Sequence, residues 1–214
     1  NEGRATYYFE PLSFDANGNI KALTCASKVS VALPSFTAGS DTPIQNVDQT
    51  TGKSGFTHFG ACDIGASGQT RHSQSFVVKR DGYLTSVAVT TFRRGAVNAG
   101  LTLDLMRIDA NGNPTGTALS TTTVQTQSIG LSPRNVAMYP QNLHVAVGDK
   151  LAVVLRSTTT SGCYGLDYNV DPGLAQGLYP DGHERKSTNG GASWAVDVND
   201  HLALKFYTTV AAAP

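Results

Sequence analysis

The stretch Gly100-Leu-Thr-Leu-Asp-Leu-Met-Arg-Ile108, followed by Asp109-Ala-Asn-Gly-Asn113 and Pro114, decides the fold class. Leu101, Leu103 and Leu105 recur at a period of two, with Thr102 and Asp104 between them. Successive side chains of a β-strand point to opposite faces. This pattern therefore predicts a strand whose leucines face a core and whose Thr102 and Asp104 face away. The Asp-Ala-Asn-Gly-Asn run supplies residues that tolerate positive φ, so a tight turn is expected there. Pro114 has no backbone N–H and helps to stop the strand.

The same pattern extends in both directions. Upstream, Gln74–Val78 leads through Arg80-Asp-Gly82 into Tyr83–Phe92, with Val87 and Val89 on one face and Leu84, Ala88 and Phe92 on the other. Downstream come Thr117–Gln125, Asn135–Tyr139 and Lys150–Ser157, the last with Leu151, Val153 and Leu155 on one face. Leu202–Val210 closes the series, with Leu202, Leu204 and Phe206 inward. No amphipathic helix of ordinary length interrupts it. Short strands with turn signals about every ten residues predict an all-β fold, a jelly-roll-like β-sandwich of antiparallel strands. The 22 glycines and 9 prolines suit the number of turns this fold needs.

Residues 1–55 read as a β-rich leader and linker, and residues 56–214 as the sandwich. Ala5–Glu10, Ile20–Thr24 and Lys28–Leu33 have strand character. A second Asp15-Ala-Asn-Gly-Asn19 run lies between the first two. A calcium loop of the EF-hand type needs Gly at its sixth position and Glu at its twelfth, where Ile20 and Ala26 stand, so a hairpin turn is expected instead. Residues 34–55 are polar and lack an apolar period, as a linker or extended strap does.

The chain has 214 residues, 40% hydrophobic and 15% charged, with a formal net charge of zero. That suffices for one substantial core and argues against nucleic-acid or anionic-membrane partners. No apolar run reaches the roughly 20 residues of a membrane span. The chain opens NEGRATYY, without a start Met or a signal-peptide pattern, so a processed or trimmed chain is expected. No Asn-x-Ser/Thr sequon occurs. Cys25, Cys62 and Cys163 allow one disulfide and leave one thiol. Cys62 and Cys163 both sit in Gly-rich irregular segments, where a staple helps most, and that pair is favoured over its rival Cys25–Cys62. A disulfide implies an oxidising compartment, hence a secreted, extracellular protein.

Functional information concentrates in Cys163–Trp194, which holds Tyr164, Tyr168, Tyr179 and the chain's single tryptophan within a Gly/Pro/Asp-rich run. Aromatic rings offer flat apolar faces with a polar tip, and pyranose rings have a matching apolar face and polar rim. Asp167, Asp181, His183 and Arg185 lie close by in sequence and can bond sugar hydroxyls. Tyr179, in Gly177-Leu-Tyr-Pro-Asp-Gly182, is the foremost candidate for an exposed stacking platform. Tyr164 and Tyr168 share one face of a strand, which favours core packing for at least one of them. The expected carbohydrate-binding set is thus Tyr179, Trp194, Tyr168, Tyr164, Asp167, Asp181, His183 and Arg185. No cofactor is expected. Asp167, Asp171 and Asp181, or Asp197, Asn199 and Asp200, can supply oxygen ligands to a structural calcium, although turn formation accounts for both sets first.

Several stretches resemble known families. Tyr7-Tyr-Phe-Glu-Pro-Leu-Ser-Phe-Asp-Ala-Asn-Gly-Asn-Ile-Lys-Ala-Leu23 resembles the closing segment of propeller-type glycoside hydrolases of family 43. That resemblance implies a piece downstream of a catalytic domain, itself without the hydrolase's acidic residues. Ser187-Thr-Asn-Gly-Gly-Ala-Ser-Trp194 resembles the Asp-box hairpin S-x-D-x-G-x-x-W, with Asn189 in place of Asp, and implies a tight turn onto which Trp194 packs. A single copy does not build a propeller. Gln74–Val210 as a whole resembles exported β-sandwich domains attached to carbohydrate-active enzymes, through the ordered frame Q-S-F, D-G-Y-L-T-S-V, D-A-N-G-N-P-T-G, S-T-N-G-G-A-S-W and D-x-L-A-L-K-F-Y.

The resulting expectation is a non-catalytic, monomeric module that targets a secreted glycoside hydrolase to a polysaccharide, with the parent's catalytic domain as its other partner. Two alternatives stay open. One is a polysaccharide lyase or hydrolase in its own right, motivated by Arg71, His72 and Gln74. The other is a structural or adhesion domain without a small ligand. A G-x-S-x-G elbow and His-x-x-x-His metal spacing are both absent from the sequence.

Overall fold

This computed structural model describes residues 15–17, 19, 21, 43–45, 53–62, 68–170, 179, 181–196 and 202–211. The expected strands over 5–10 and 28–33, Cys25, and the oxygen donors Asp171, Asp197, Asn199 and Asp200 lie outside the described residues. So does Ile20–Thr24 apart from Lys21. Contacts divide the chain into two compact units, Asn1–Ala38 and Gly39–Pro214. In the first, the Asp15 carboxylate accepts the backbone N–H groups of Asn17 and Asn19, at 2.8 and 2.9 Å, and forms the expected turn.

The second unit is all-β among the described residues, apart from one short 3₁₀ turn at Thr126–Ser128. Its strands are β1 (Pro43–Gln45), β2 (Lys53–Gly60), β3 (Arg71–Val77), β4 (Gly82–Arg94), β5 (Leu101–Ile108), β6 (Pro114–Val124) and β7 (Arg134–Met138). They continue with β8 (His144–Val145), β9 (Lys150–Arg156), β10 (Cys163–Val170), β11 (Glu184–Ser187), β12 (Ala195–Val196), β13 (Leu202–Leu204) and β14 (Phe206–Ala211). The unit starts before Phe56, because β1 already pairs with β14 and β2 with β10.

Two antiparallel sheets result. One runs β12-β11-β3-β9-β5-β6. The other runs β1-β14-β4-β10-β13, with β2 added on β10 and with β7 and β8 on β4. Lys205 joins β13 to β14 where the chain passes from β10 to β4: its N–H donates to the Asp167 carbonyl, and its own carbonyl accepts from Thr90. The core lies between the sheets. Leu101, Leu103, Leu105, Leu151, Val153 and Leu155 are each at most 2% exposed, as the alternation predicted. Phe76 of one sheet meets Phe206 of the other at 5.7 Å between ring centres.

Strand β4 departs from simple alternation. Leu84 pairs with Val210 and Ser86 with Thr209, so Thr85 is an extra residue on β4. Such a β-bulge shifts the side-chain parity by one. Leu84 therefore faces the core together with Val87 and Val89, and not with Ala88 and Phe92 as the sequence pattern suggested. Thr102 and Asp104 do sit on the outer face of β5, yet both are buried there. Cys62 and Cys163 form the favoured disulfide, with 5.5 Å between Cα atoms. This bond is compatible with an extracellular location. Among the described residues no helix is long and apolar enough to cross a membrane.

Candidate functional site

The outer face of the six-stranded sheet is built from alternate residues of four adjacent strands. Register places Ser187, Arg71, Arg156 and Thr102 in one row. The next row holds Arg185, Ser73, Val154 and Asp104, and the one after it Ser75, Ala152 and Met106. The middle of each of the last two rows is small, and the longest side chains, Arg185 and Met106, stand at opposite flanks. Two turns rise at the flanks. At one side Asp109–Asn113 joins β5 to β6. At the other, the turn from Ser187 to Trp194 joins β11 to β12.

Both turns are internally bonded and therefore hold their shape. The Asp109 carboxylate accepts the N–H groups of Asn111 and Asn113 at 2.8 and 2.9 Å. Those N–H groups, that of Asn113 foremost, hold the Asp109 carboxyl below the usual carboxylate range, and the Arg185 guanidinium acts in the same direction. In the other turn Asn189 closes the loop through its side-chain amide. Its Oδ1 accepts the Ser193 N–H at 3.0 Å and the Ser187 hydroxyl at 2.9 Å, while the Ser187 Oγ accepts the Gly191 N–H at 2.9 Å.

The Arg185 guanidinium reaches across the face and donates to the Asn111 carbonyl at 2.6 Å. This strap covers the floor and explains why Ser73, Asp104, Ala152 and Val154 are buried on an outer face. Clefts lie beside it. The first, of about 350 Å³, is lined by Ser75, Val77, Ile108, the Asp109 turn, Lys150, Asp181, Gly182, His183 and Arg185. The second, of about 590 Å³, is lined by Arg71, Met106, Asp109, Asn113 to Gly116, and Gly191 to Trp194. Asp109 borders both, so the two clefts adjoin at its turn and together make up the groove of this face.

Polar atoms in this groove lack partners among the described residues. Trp194 Nε1, Arg185 Nε and Asn113 Oδ1 are buried and have no hydrogen-bond partner among the described residues. Buried atoms of this kind take water or a ligand as partner. The Arg156 guanidinium is held by Asp104 through contacts of 2.6 and 3.3 Å, and Asp104 also accepts the Thr121 hydroxyl at 2.7 Å. These planar groups are fixed in place before any ligand arrives.

The structure divides the expected site residues. Asp181, His183, Arg185 and Trp194 line the groove. Tyr179 does not form an exposed platform: it is 7% exposed, its ring packs edge-on against Phe206 at 5.5 Å, and its hydroxyl accepts the Val77 N–H at 3.3 Å. Tyr164 is fully buried in the core, and its hydroxyl donates to the Ala99 carbonyl at 2.6 Å. Tyr168 is half-buried against the core, with its ring beside Gly55. Asp167 lies on the other sheet, paired with Lys205 at 2.8 Å. Asp181 pairs with Lys79 at 2.5 Å. Among the described residues no group of three His, Cys, Asp or Glu side chains could hold a metal ion.

Arg71, His72 and Gln74 do not converge, because neighbours along a strand point to opposite faces. Arg71 lines the groove. His72 and Gln74 face the core, where the His72 Nδ1 meets Glu184 Oε1 at 2.6 Å and Gln74 accepts the Leu204 N–H at 2.8 Å. The roles of Arg71, Asp104 and Arg156 were not legible in sequence, since only strand register brings them together. A separate apolar patch lies on the other sheet, where Phe56, Phe92, Leu131 and Pro133 line a shallow cleft. There the Phe92 ring lies over Gly165, and Phe56 stands edge-on to it at 5.5 Å.

No protein-family model matches the chain, and no curated protein matches it by sequence.

Proposed function

We propose that the chain is a non-catalytic carbohydrate-binding domain of a secreted glycoside hydrolase, and that the groove over the six-stranded sheet is its glycan site. The observation that carries this reading is the groove itself: a preformed trough with an indole in its wall, rigid polar turns at its rims and polar atoms without partners among the described residues. Trp194 offers a face to an apolar sugar surface. His183, Arg185 and the Asp109 turn present donors and acceptors to hydroxyl groups. Binding of this kind is weak, and its benefit is effective concentration: it holds an attached catalytic domain near an insoluble polymer. The resemblance of residues 7–23 to a hydrolase's closing segment supports that attachment.

The experiment is affinity electrophoresis through gels containing arabinan, arabinogalactan, xylan, levan, β-glucan or pectin, with and without EDTA. Retardation is expected in at least one gel. It should be lost in Trp194→Ala and kept in Phe56→Ala, with both variants shown to be folded by circular dichroism. Retardation lost in Phe56→Ala and kept in Trp194→Ala would move the site to the patch on the other sheet. No retardation by any polymer would refute the reading.

A further inference from the structure

The charges in the groove do not balance locally, although those of the whole chain do. Arg71 and Arg156 stand directly opposite each other on β3 and β9, both on the outer face. Like charges in cross-strand register repel, so such a pair is unfavourable unless something compensates it. Asp104 compensates Arg156, through its contacts at 2.6 and 3.3 Å. Asp109 lies in the field of Arg185. The Arg71 side chain has no hydrogen bond or ion pair among the described residues, and its guanidinium lies in the cleft with Trp194 and Gly191, beneath the Asn189 turn. Burial first, and then Arg156, disfavours its charged form, and the nearby Asp104 offsets them only in part.

An arginine kept charged in that place is a half-built ion pair. Its planar fork matches two oxygens of a carboxylate or sulfate, and the indole beside it matches a sugar ring. We propose that the groove selects an acidic sugar, with the Arg71 guanidinium receiving its carboxylate or sulfate oxygens and Trp194 packing on the ring that carries them. This inference rests on the reading of the groove as a glycan site. It adds the ligand class and the residue that selects it.

The test compares binding of the full chain to polygalacturonate, its fully methyl-esterified form, a sulfated galactan, a neutral galactan and polyglutamate, at fixed salt, for wild type, Arg71→Gln, Arg71→Lys and Trp194→Ala. The wild type is expected to bind polygalacturonate or the sulfated galactan, and whichever it binds names the acidic group. Esterification is expected to abolish polygalacturonate binding. Losing the charge-assisted contact in Arg71→Gln should weaken binding about tenfold or more, and Arg71→Lys, which keeps the charge without the fork, should fall between. Arg71→Gln also removes the repulsion with Arg156, so its thermal midpoint should equal or exceed that of the wild type. Equal binding to the ester and the acid overturns the inference without needing any variant. Binding of neutral galactan alone, lost in Trp194→Ala but not in Arg71→Gln, overturns the acidic-sugar inference and leaves the glycan site standing. Binding to none of these polysaccharides, or polyglutamate binding equal to that of the acidic polymers, overturns the acidic-sugar inference, whereas the glycan site itself falls only if none of the six gel polymers retards the chain.

Discussion

His72→Leu probes how the groove wall is fastened. His72 and Glu184 are 0% and 2% exposed, and their side chains meet at 2.6 Å between β3 and β11, on the core side of the sheet. The next residue along β11 is Arg185, which points the other way and straps the groove. The buried pair thus anchors the strand that carries Arg185 and leads into the Asn189 turn. Removing one partner of a buried charged or hydrogen-bonded pair leaves the other desolvated and costs about 3–5 kcal/mol, whereas replacing both with apolar residues of similar volume is often near neutral. At roughly 2–4 °C per kcal/mol for a chain of this size, His72→Leu should lower the midpoint by about 6–20 °C. His72→Leu/Glu184→Leu should recover most of that loss. The assay is thermal and urea unfolding by circular dichroism, together with the fluorescence of Trp194, the chain's one tryptophan and so a reporter of the groove wall. A loss below about 1 kcal/mol in His72→Leu, or a double variant whose loss equals the sum of the two singles, would refute the reasoning.

Other outcomes follow from single features. Reducing the Cys62–Cys163 bond, or replacing both cysteines with serine, should cost about 2–5 kcal/mol, read as the shift in urea midpoint with and without reductant. In Gly182→Ala the new Cβ would lie 1.9 Å from the Ser75 carbonyl oxygen, a backbone atom that cannot swing aside. The expected cost is about 1–3 kcal/mol, with weakened glycan binding because Asp181 and His183 move with it. Burial pushes the Tyr164 and Tyr179 phenols up to about 12 from the ordinary 10. Their contribution to stability is therefore full below pH 10 and is lost as the pH rises from 10 to 12, where the unfolded chain releases protons that the fold retains. Phenolate absorbance with parallel urea melts should show that decline, and it should be shallower in Tyr179→Phe.

Much of the sandwich was legible because its signals are local. Leu101, Leu103 and Leu105 alternate without interruption, and the Asp109 and Asn189 turns close on their own side chains. The Leu84 face was not legible, because the bulge at Thr85 shows only in the pairing with β14. Tyr179 looked exposed because its own segment offers it no apolar company. Its neighbours, Phe206 and Val77, come from distant strands. Asp167 and Asp181 are near in sequence yet serve different sheets. Arg71 stood out only beside His72 and Gln74, and Asp104 only as an outward residue of its strand, until strand order placed both with Arg156 in adjoining rows.

Chemical-shift mapping by ¹H–¹⁵N NMR, titrating the folded chain with oligosaccharides of the polymer that retards it most, tests the groove most directly. The Trp194 indole N–H, the amides of 109–113 and 183–185, and those of 189–194 are expected to shift together and saturate on one curve. Shifts confined to Phe56, His58, Phe92 and Gly165 on the other sheet, or no shifts at saturating sugar, would contradict the account.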